Sequence, residues 1–339
     1  MTPEQAFRAA YDFHRAGSED RAVELCRAIL KAEPGHPYAT LLLALIVDRD
    51  GREAEAERLL ADAVARCACS ITLESPPPDA PRHRQAPNPS LYALLAGDDR
   101  TAAYGRVLES FVPFLPRLSA LPVGDRGGGE PHWHNQWMGS FDAVALYCLI
   151  AQRRPRRYVE VGSGISTRFA RRAIRDYGLT GRIISIDPQP RAEVDSLCDE
   201  IVRLPLEKTD LAAFAGLAAG DMVFIDSSHR SFMGSDVTVF FTEVLPRLAA
   251  GIAVGLHDIY LPFDYPEEWV PRYYTEQYLL ACYLLGGDAL DILLPLHFAL
   301  TAPACAAAVN SIAAALPAGV GNVGTSFWLV TTGGSGKAS

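Results

Sequence analysis

Asp226 closes the apolar run "DMVFID" with His229 three residues on, and His257 closes the run "GIAVGLH" with Asp258 next to it. An imidazole titrates near neutrality and can take a proton from a hydroxyl, and carboxylates with an imidazole make a ligand set for a divalent ion. Ser227 and Ser228 stand between the first pair, so six polar groups (Asp226, Ser227, Ser228, His229, His257 and Asp258) are candidates to face a reacting group. A second motif lies upstream. "YVEVGSGIST" breaks an apolar run at Gly162-Ser163-Gly164 and resumes as helix. Glycine at such a turn lets a ligand approach the backbone, and a helix N-terminus offers unpaired N–H groups to an anionic group. "SIDPQP" then places Asp187 23 residues after Gly164, where an acid can accept hydrogen bonds from both hydroxyls of a ribose.

Turn and acid together indicate an adenosine-type ligand, a geometry shared by nicotinamide dinucleotides and S-adenosylmethionine. The dinucleotide turn wants a third glycine, and Thr167 stands in its place. Glu160, two residues before Gly162, suits the amino group and sulfonium of S-adenosylmethionine better than a pyrophosphate.

These residues need a scaffold that brings strand ends together. Strands are expected at 157–162, 182–187, 200–205, 221–226, 251–257, 290–296 and 326–332. The first five are β-branched runs separated by helical patterns, which argues right-handed βαβ crossovers and a doubly wound, mostly parallel α/β sheet. In such a sheet the ligand crevice opens at the carboxyl ends of the strands. Ahead of the sheet, 91–155 reads as helices and a long Gly-rich loop capping the site, with His132, Trp133, His134, Asn135 and Trp137 as a lid or as anchors for that loop. Asp264 and Tyr265, beyond the fifth strand, are placed to touch substrate.

Residues 1–70 form a small all-α extension. Gly17 and Gly51, Ala22 and Ala56, Leu25 and Leu59, Ala10 and Ala44, and Phe7 and Leu41 are each 34 apart, a period that resembles two tetratricopeptide repeats of paired helices. The extension reads as a structural cap, or as a module for a homodimer or protein partner. A Pro-rich connector (71–90), the sheet domain (156–332) and a disordered tail (333–339) complete the expected layout. The net charge of -9 over 339 residues excludes a broad footprint for nucleic acid. The apolar stretch 278–300 is interrupted by Gly286, Gly287, Asp288, Asp291 and Pro295, which speaks against a membrane span. The seven scattered cysteines read as free thiols, Cys67-Ala-Cys69 included, and the location as cytoplasmic.

From about 132 to 332 the chain resembles class I S-adenosylmethionine-dependent methyltransferases of the branch whose first motif is E-V-G-S-G-x-S-T. "YVEVGSGIST", "SIDPQP", "VFIDSSHRSFMGSDVTVFFTEVLPRLAAG" and "HDIYLPFDYPEEW" carry the likeness in order. The resemblance implies a seven-stranded sheet with the final strand antiparallel and inserted beside the last parallel one. It also implies that Glu160, Gly162, Ser163, Gly164, Ser166 and Thr167 line the methionine part of the cofactor, with Asp187 on the ribose and Asp226 beside them. Glu207 is a weaker candidate for the adenine.

In catechol-type O-methyltransferases an acid ending the fourth strand and a pair ending the fifth hold a divalent ion. Asp226, His257 and Asp258 fall at those positions, and the imidazole shifts preference from magnesium toward manganese, iron or zinc. The competing reading makes His257 or His229 a general base beside Asp258, and the bland one makes them structural. The expected activity is methyl transfer to an oxygen of a small-molecule or sugar-like acceptor. The alternatives are a non-catalytic cofactor-binding protein that recruits a partner through its helical repeats and, further off, a nicotinamide oxidoreductase.

Overall fold

All seven expected strands form in the computed structural model: β1 (Arg157–Val161), β2 (Arg182–Ile186), β3 (Glu200–Val202), β4 (Met222–Ile225), β5 (Ala253–Leu256), β6 (Leu290–Pro295) and β7 (Phe327–Thr331). The structure describes residues 3–333 except 16, 35, 50, 53, 60–81, 84 and 191–192. Cys67, Cys69, most of the Pro-rich connector and residues 334–339 of the tail therefore lie outside the described residues.

The sheet order is β3-β2-β1-β4-β5-β7-β6. Strands β1 to β5 run parallel, and β7 is antiparallel to both β5 and β6. The order reverses between β2-β1 and β4, so the crevice of this α/β sheet opens above the ends of β1 and β4. Strands β4 and β5 are buried throughout, as expected of parallel strands covered on both faces. Gly255 in β5 is required by packing. A Cβ there would lie 2.6 Å from the Trp328 ring, which stacks on Phe224 at 5.5 Å.

The helix Ser140–Arg153 is buried along most of its length, and one acid, Asp142, sits in its first turn. The Asp142 carboxylate accepts from the backbone N–H of Thr325 (2.9 Å) and Ser326 (2.6 Å), so it ties this helix to the entry of β7. Among the described residues no helix is long and apolar enough to cross a membrane.

The chain divides into two compact units, residues 1–78 and 79–339. In the first, helices Pro3–Arg15, Glu19–Ala32 and Pro37–Arg49 bury Ala10, Ala22, Ala44 and Ala56. The 34-residue spacing is visible in the backbone. Gly17 and Gly51 take φ of +74° and +76°, and the bonds Ser18 N–H to Phe13 O and Arg52 N–H to Val47 O close equivalent turns.

Candidate active site

The Gly162-Ser163-Gly164 turn is held by its neighbours to a geometry few sequences allow. Gly162 has φ +82°, and a Cβ there would lie 1.8 Å from the Asp226 carbonyl oxygen, so β1 and β4 approach too closely for any side chain. A Cβ on Gly164 would meet nothing within 4 Å, which leaves open space at the N-terminus of helix Ile165–Asp176. Ser163 N–H donates to Asp187 Oδ2 at 2.7 Å, and Gln189 N–H donates to Oδ1 at 2.7 Å. Each Asp187 oxygen keeps a second lone pair for a hydroxyl. Ser163 Oγ pairs with the buried Ser185 Oγ at 2.7 Å, and Arg203 Nη1 donates to the carbonyl of Asp187 at 3.1 Å.

Glu160 is placed differently from the sequence reading. Its carboxyl is fully buried and is held by the Tyr158 hydroxyl at 2.8 Å and by Thr167 Oγ1, which in turn accepts from Gly164 N–H at 3.0 Å. It therefore shapes the turn through Thr167. Burial pushes the carboxyl up to about 7, against the pull of hydrogen bonds from Ser166, Thr167 and Tyr158. Ser166 is also buried.

The ends of β4 and β5 assemble a charged cluster. Asp226, His229 and Asp258 each offer a ligand atom within 4.8 Å of the others. His229 Nε2 lies 3.3 Å from Asp226 Oδ1 and 3.5 Å from Asp258 Oδ2, while its Nδ1 faces Glu276 Oε2 at 2.8 Å. His257 sits deeper. Its Nδ1 lies 3.3 Å from Asp258 and 3.5 Å from Asp226, and its Nε2 is 3.4 Å from Asp142.

The imidazole that joins both aspartates in one ligand set is thus His229, where the sequence reading takes His257. His257 leaves β5 inside the core, while His229 turns back from the loop at φ +58°. Burial disfavours the charged form of both imidazoles, but the facing carboxylates prevail and hold both pKa values well above the ordinary histidine value. Burial would likewise raise the Asp226 carboxyl, yet His257 and His229 hold it well below the usual carboxylate range. Burial raises Glu276, with His229 pulling against it.

Other expected residues separate. Ser228 donates from its N–H and its Oγ to Asp236 and so anchors the loop after β4, while Ser227 Oγ is buried without a partner. Asp264 is engaged by His83 N–H (2.6 Å) and the Tyr278 hydroxyl (3.0 Å). Tyr265 is buried among Tyr260, Trp269, Tyr274 and Tyr278. Glu207 is exposed in the short helix Leu206–Lys208. Asn135 anchors its loop by accepting from Trp137 and Met138 N–H, and His132 and Trp133 are buried while Trp137 is exposed. Two residues were missed, Asp142 and Glu276. Each is a first-turn acid of its helix, which reads in sequence as an ordinary complement to the helix dipole.

Residues 159–259 match the family model described as a methyltransferase domain. They run from β1 through β5 and contain the turn, Asp187 and the charged cluster, so this part of the chain is a methyltransferase domain. No curated protein matches the chain. Two solved structures resemble it at a TM-score of 0.36 each. One is the SAH-bound methyltransferase PaMTH1 of Podospora anserina, at 17% identity over 58% of this chain and 90% of that one. The other is an O-methyltransferase from Bacillus cereus in complex with SAH, at 15% identity over 72% of this chain and 96% of that one.

Proposed function

We propose that the methyltransferase domain uses S-adenosylmethionine and passes its methyl group to an oxygen of a small-molecule or sugar-like acceptor. The observation that carries this reading is that Gly162, pressed against the Asp226 carbonyl, fixes the cofactor turn directly beside the Asp226, His229 and Asp258 cluster. The adenosine ribose would lie on Asp187 and the methionine part over Ser163 and Gly164. Methyl transfer needs the acceptor held in line with the sulfonium, so positioning carries much of the rate. A hydroxyl acceptor must also lose a proton, and the Asp258 carboxylate beside His229 is the group to take it, because the carboxylates facing His229 keep its imidazole protonated.

Asp226, His229 and Asp258 also fit a divalent ion. With Glu276 taking the His229 Nδ1 proton, Nε2 would ligate once an ion displaced its own proton, the carboxylate–histidine arrangement common at metal sites. Bound there, an ion would polarise the acceptor oxygen. The mixed nitrogen and oxygen donors favour manganese, iron or zinc over magnesium. For the N-terminal helices we propose a protein-contact role, in a homodimer or with another chain.

Calorimetric titration with S-adenosylmethionine, with NAD as control, tests the cofactor. Binding that Asp187→Ala abolishes, with none for NAD, supports the reading, and an acceptor screen with and without divalent ions follows. Folded protein that binds neither would overturn it.

A further inference from the structure

Helix Ile165–Asp176 carries four arginines, and the best buried of them is the least satisfied. Arg171 reaches Asp199 and the Leu197 carbonyl, while Arg172 and Arg175 share Glu130. Arg168, with its side chain 11% exposed, makes no hydrogen bond from Nε or Nη1. Leaving a buried donor unpaired is costly, and native structures rarely do so without a reason.

Two more unpaired donors stand on the preceding loop, His132 Nδ1 and Trp133 Nε1, in side chains more than nine-tenths buried. Asp125 ties the two elements together. Its Oδ1 lies 3.8 Å from both His132 Nδ1 and Arg168 Nη1, beyond hydrogen-bond reach of either, while accepting from Gly127 N–H in an exposed Gly-rich loop. A carboxylate oxygen thus already hovers between the two donors without satisfying them.

The place is set by helix geometry. Arg168 stands four residues after Gly164 on one helix face, and long helical side chains lean toward the helix N-terminus, the end at which Gly164 leaves open space. We infer that Arg168 and His132 form a carboxylate-reading subsite that grips the amino-acid end of the cofactor. This rests on the cofactor assignment above and deepens it by naming the residues that distinguish the whole cofactor from one lacking its carboxylate. The Asp125 side chain gives way to the ligand carboxylate, which then makes the hydrogen bonds that Asp125 does not.

The test compares S-adenosylhomocysteine with its decarboxylated analogue, S-adenosyl-3-thiopropylamine, by calorimetry on the full chain. Wild type should bind the first more tightly. Arg168→Met keeps the apolar stem and should weaken S-adenosylhomocysteine about thirty- to a hundredfold while leaving the analogue within about twofold, because one charge-assisted contact is lost. Unchanged analogue binding also shows that the variant is folded. Asp125→Asn, on an exposed loop, should tighten S-adenosylhomocysteine several-fold by removing a competing carboxylate. Equal weakening of both ligands by Arg168→Met, or no weakening of either, overturns the inference. If wild type binds neither ligand, the cofactor assignment itself falls and this subsite falls with it.

Discussion

Glu160 offers a measurement in which burial, titration and the cofactor turn are read together. Its carboxyl is fully buried, and its pKa rises from an ordinary 4.5 to about 7. The folded state therefore holds the proton more tightly than the unfolded chain between those values, and stability must fall as pH rises through that window. Such a shift makes the wild type less stable by about 2.5 kcal/mol at pH 8 than at pH 5 from this group alone. Glu160→Gln keeps the shape and an oxygen for Thr167 but cannot titrate. The difference in unfolding free energy between variant and wild type should move by about 2.5 kcal/mol in the variant's favour over that range. Urea titrations followed by tryptophan fluorescence are the assay. All four tryptophans (133, 137, 269 and 328) lie in the 79–339 unit, so the signal ignores the N-terminal helices. Parallel pH profiles for the two proteins would refute the reasoning, since they would mean that the buried carboxyl is as acidic folded as unfolded.

The two turn glycines should behave oppositely on substitution. Gly162→Ala forces a Cβ to within 1.8 Å of a backbone oxygen at positive φ and should lower stability by about 3 kcal/mol or more, read as a shifted urea midpoint. Gly164→Ala meets open space and should change stability by less than about 1 kcal/mol, while weakening S-adenosylhomocysteine at least about tenfold in calorimetry if the ligand occupies that space. Asp142→Ala strips acceptors from Thr325 and Ser326 N–H and a carboxylate from His257, and should cost about 3 kcal/mol in the same fluorescence assay. Glu276→Gln should lower manganese affinity or methyl-transfer rate by about 10- to 100-fold through the misoriented His229 ring, with cofactor binding unchanged.

The strands were legible because β-branched apolar runs in a parallel sheet leave little else for those residues to do, and each expected strand forms within a few residues of its place. The Gly162-Ser163-Gly164 turn and its contact with Asp187 were legible for a similar reason, since the glycines and the acid that follows them answer to local geometry. The charged cluster was legible only in part. Asp226, His257 and Asp258 end strands, so their neighbourhood follows from topology, but which imidazole completes the ligand set depends on a backbone reversal at His229 that no spacing encodes. Glu276 meets His229 across 47 residues, and Asp142 meets β7 across more than 180. Such contacts belong to the packing of whole elements, and in sequence both acids look like first-turn helix residues. Glu160 shows the converse, a residue rightly placed at the turn whose direction was set by burial.

The cluster has the marks of a site that folding alone would not build. His229 and Asp258 both sit at positive φ, +58° and +57°, a conformation that costs a non-glycine residue about 1–3 kcal/mol. The surroundings hold them there. Thr275 and Glu276 N–H donate to the His229 carbonyl, and the Thr325 hydroxyl donates to Asp258 Oδ1. The charges do not balance either. Asp142, Asp226, Asp258 and Glu276 face two imidazoles, so the fully ionised group stays two negative charges in excess even with both rings protonated. Apolar or amide residues at these strand ends would relieve both strain and repulsion. What the arrangement gains is a strong preference for a cation at the mouth of the crevice, beside the turn fixed by Gly162. A sulfonium and a divalent ion are both cations that would meet that preference.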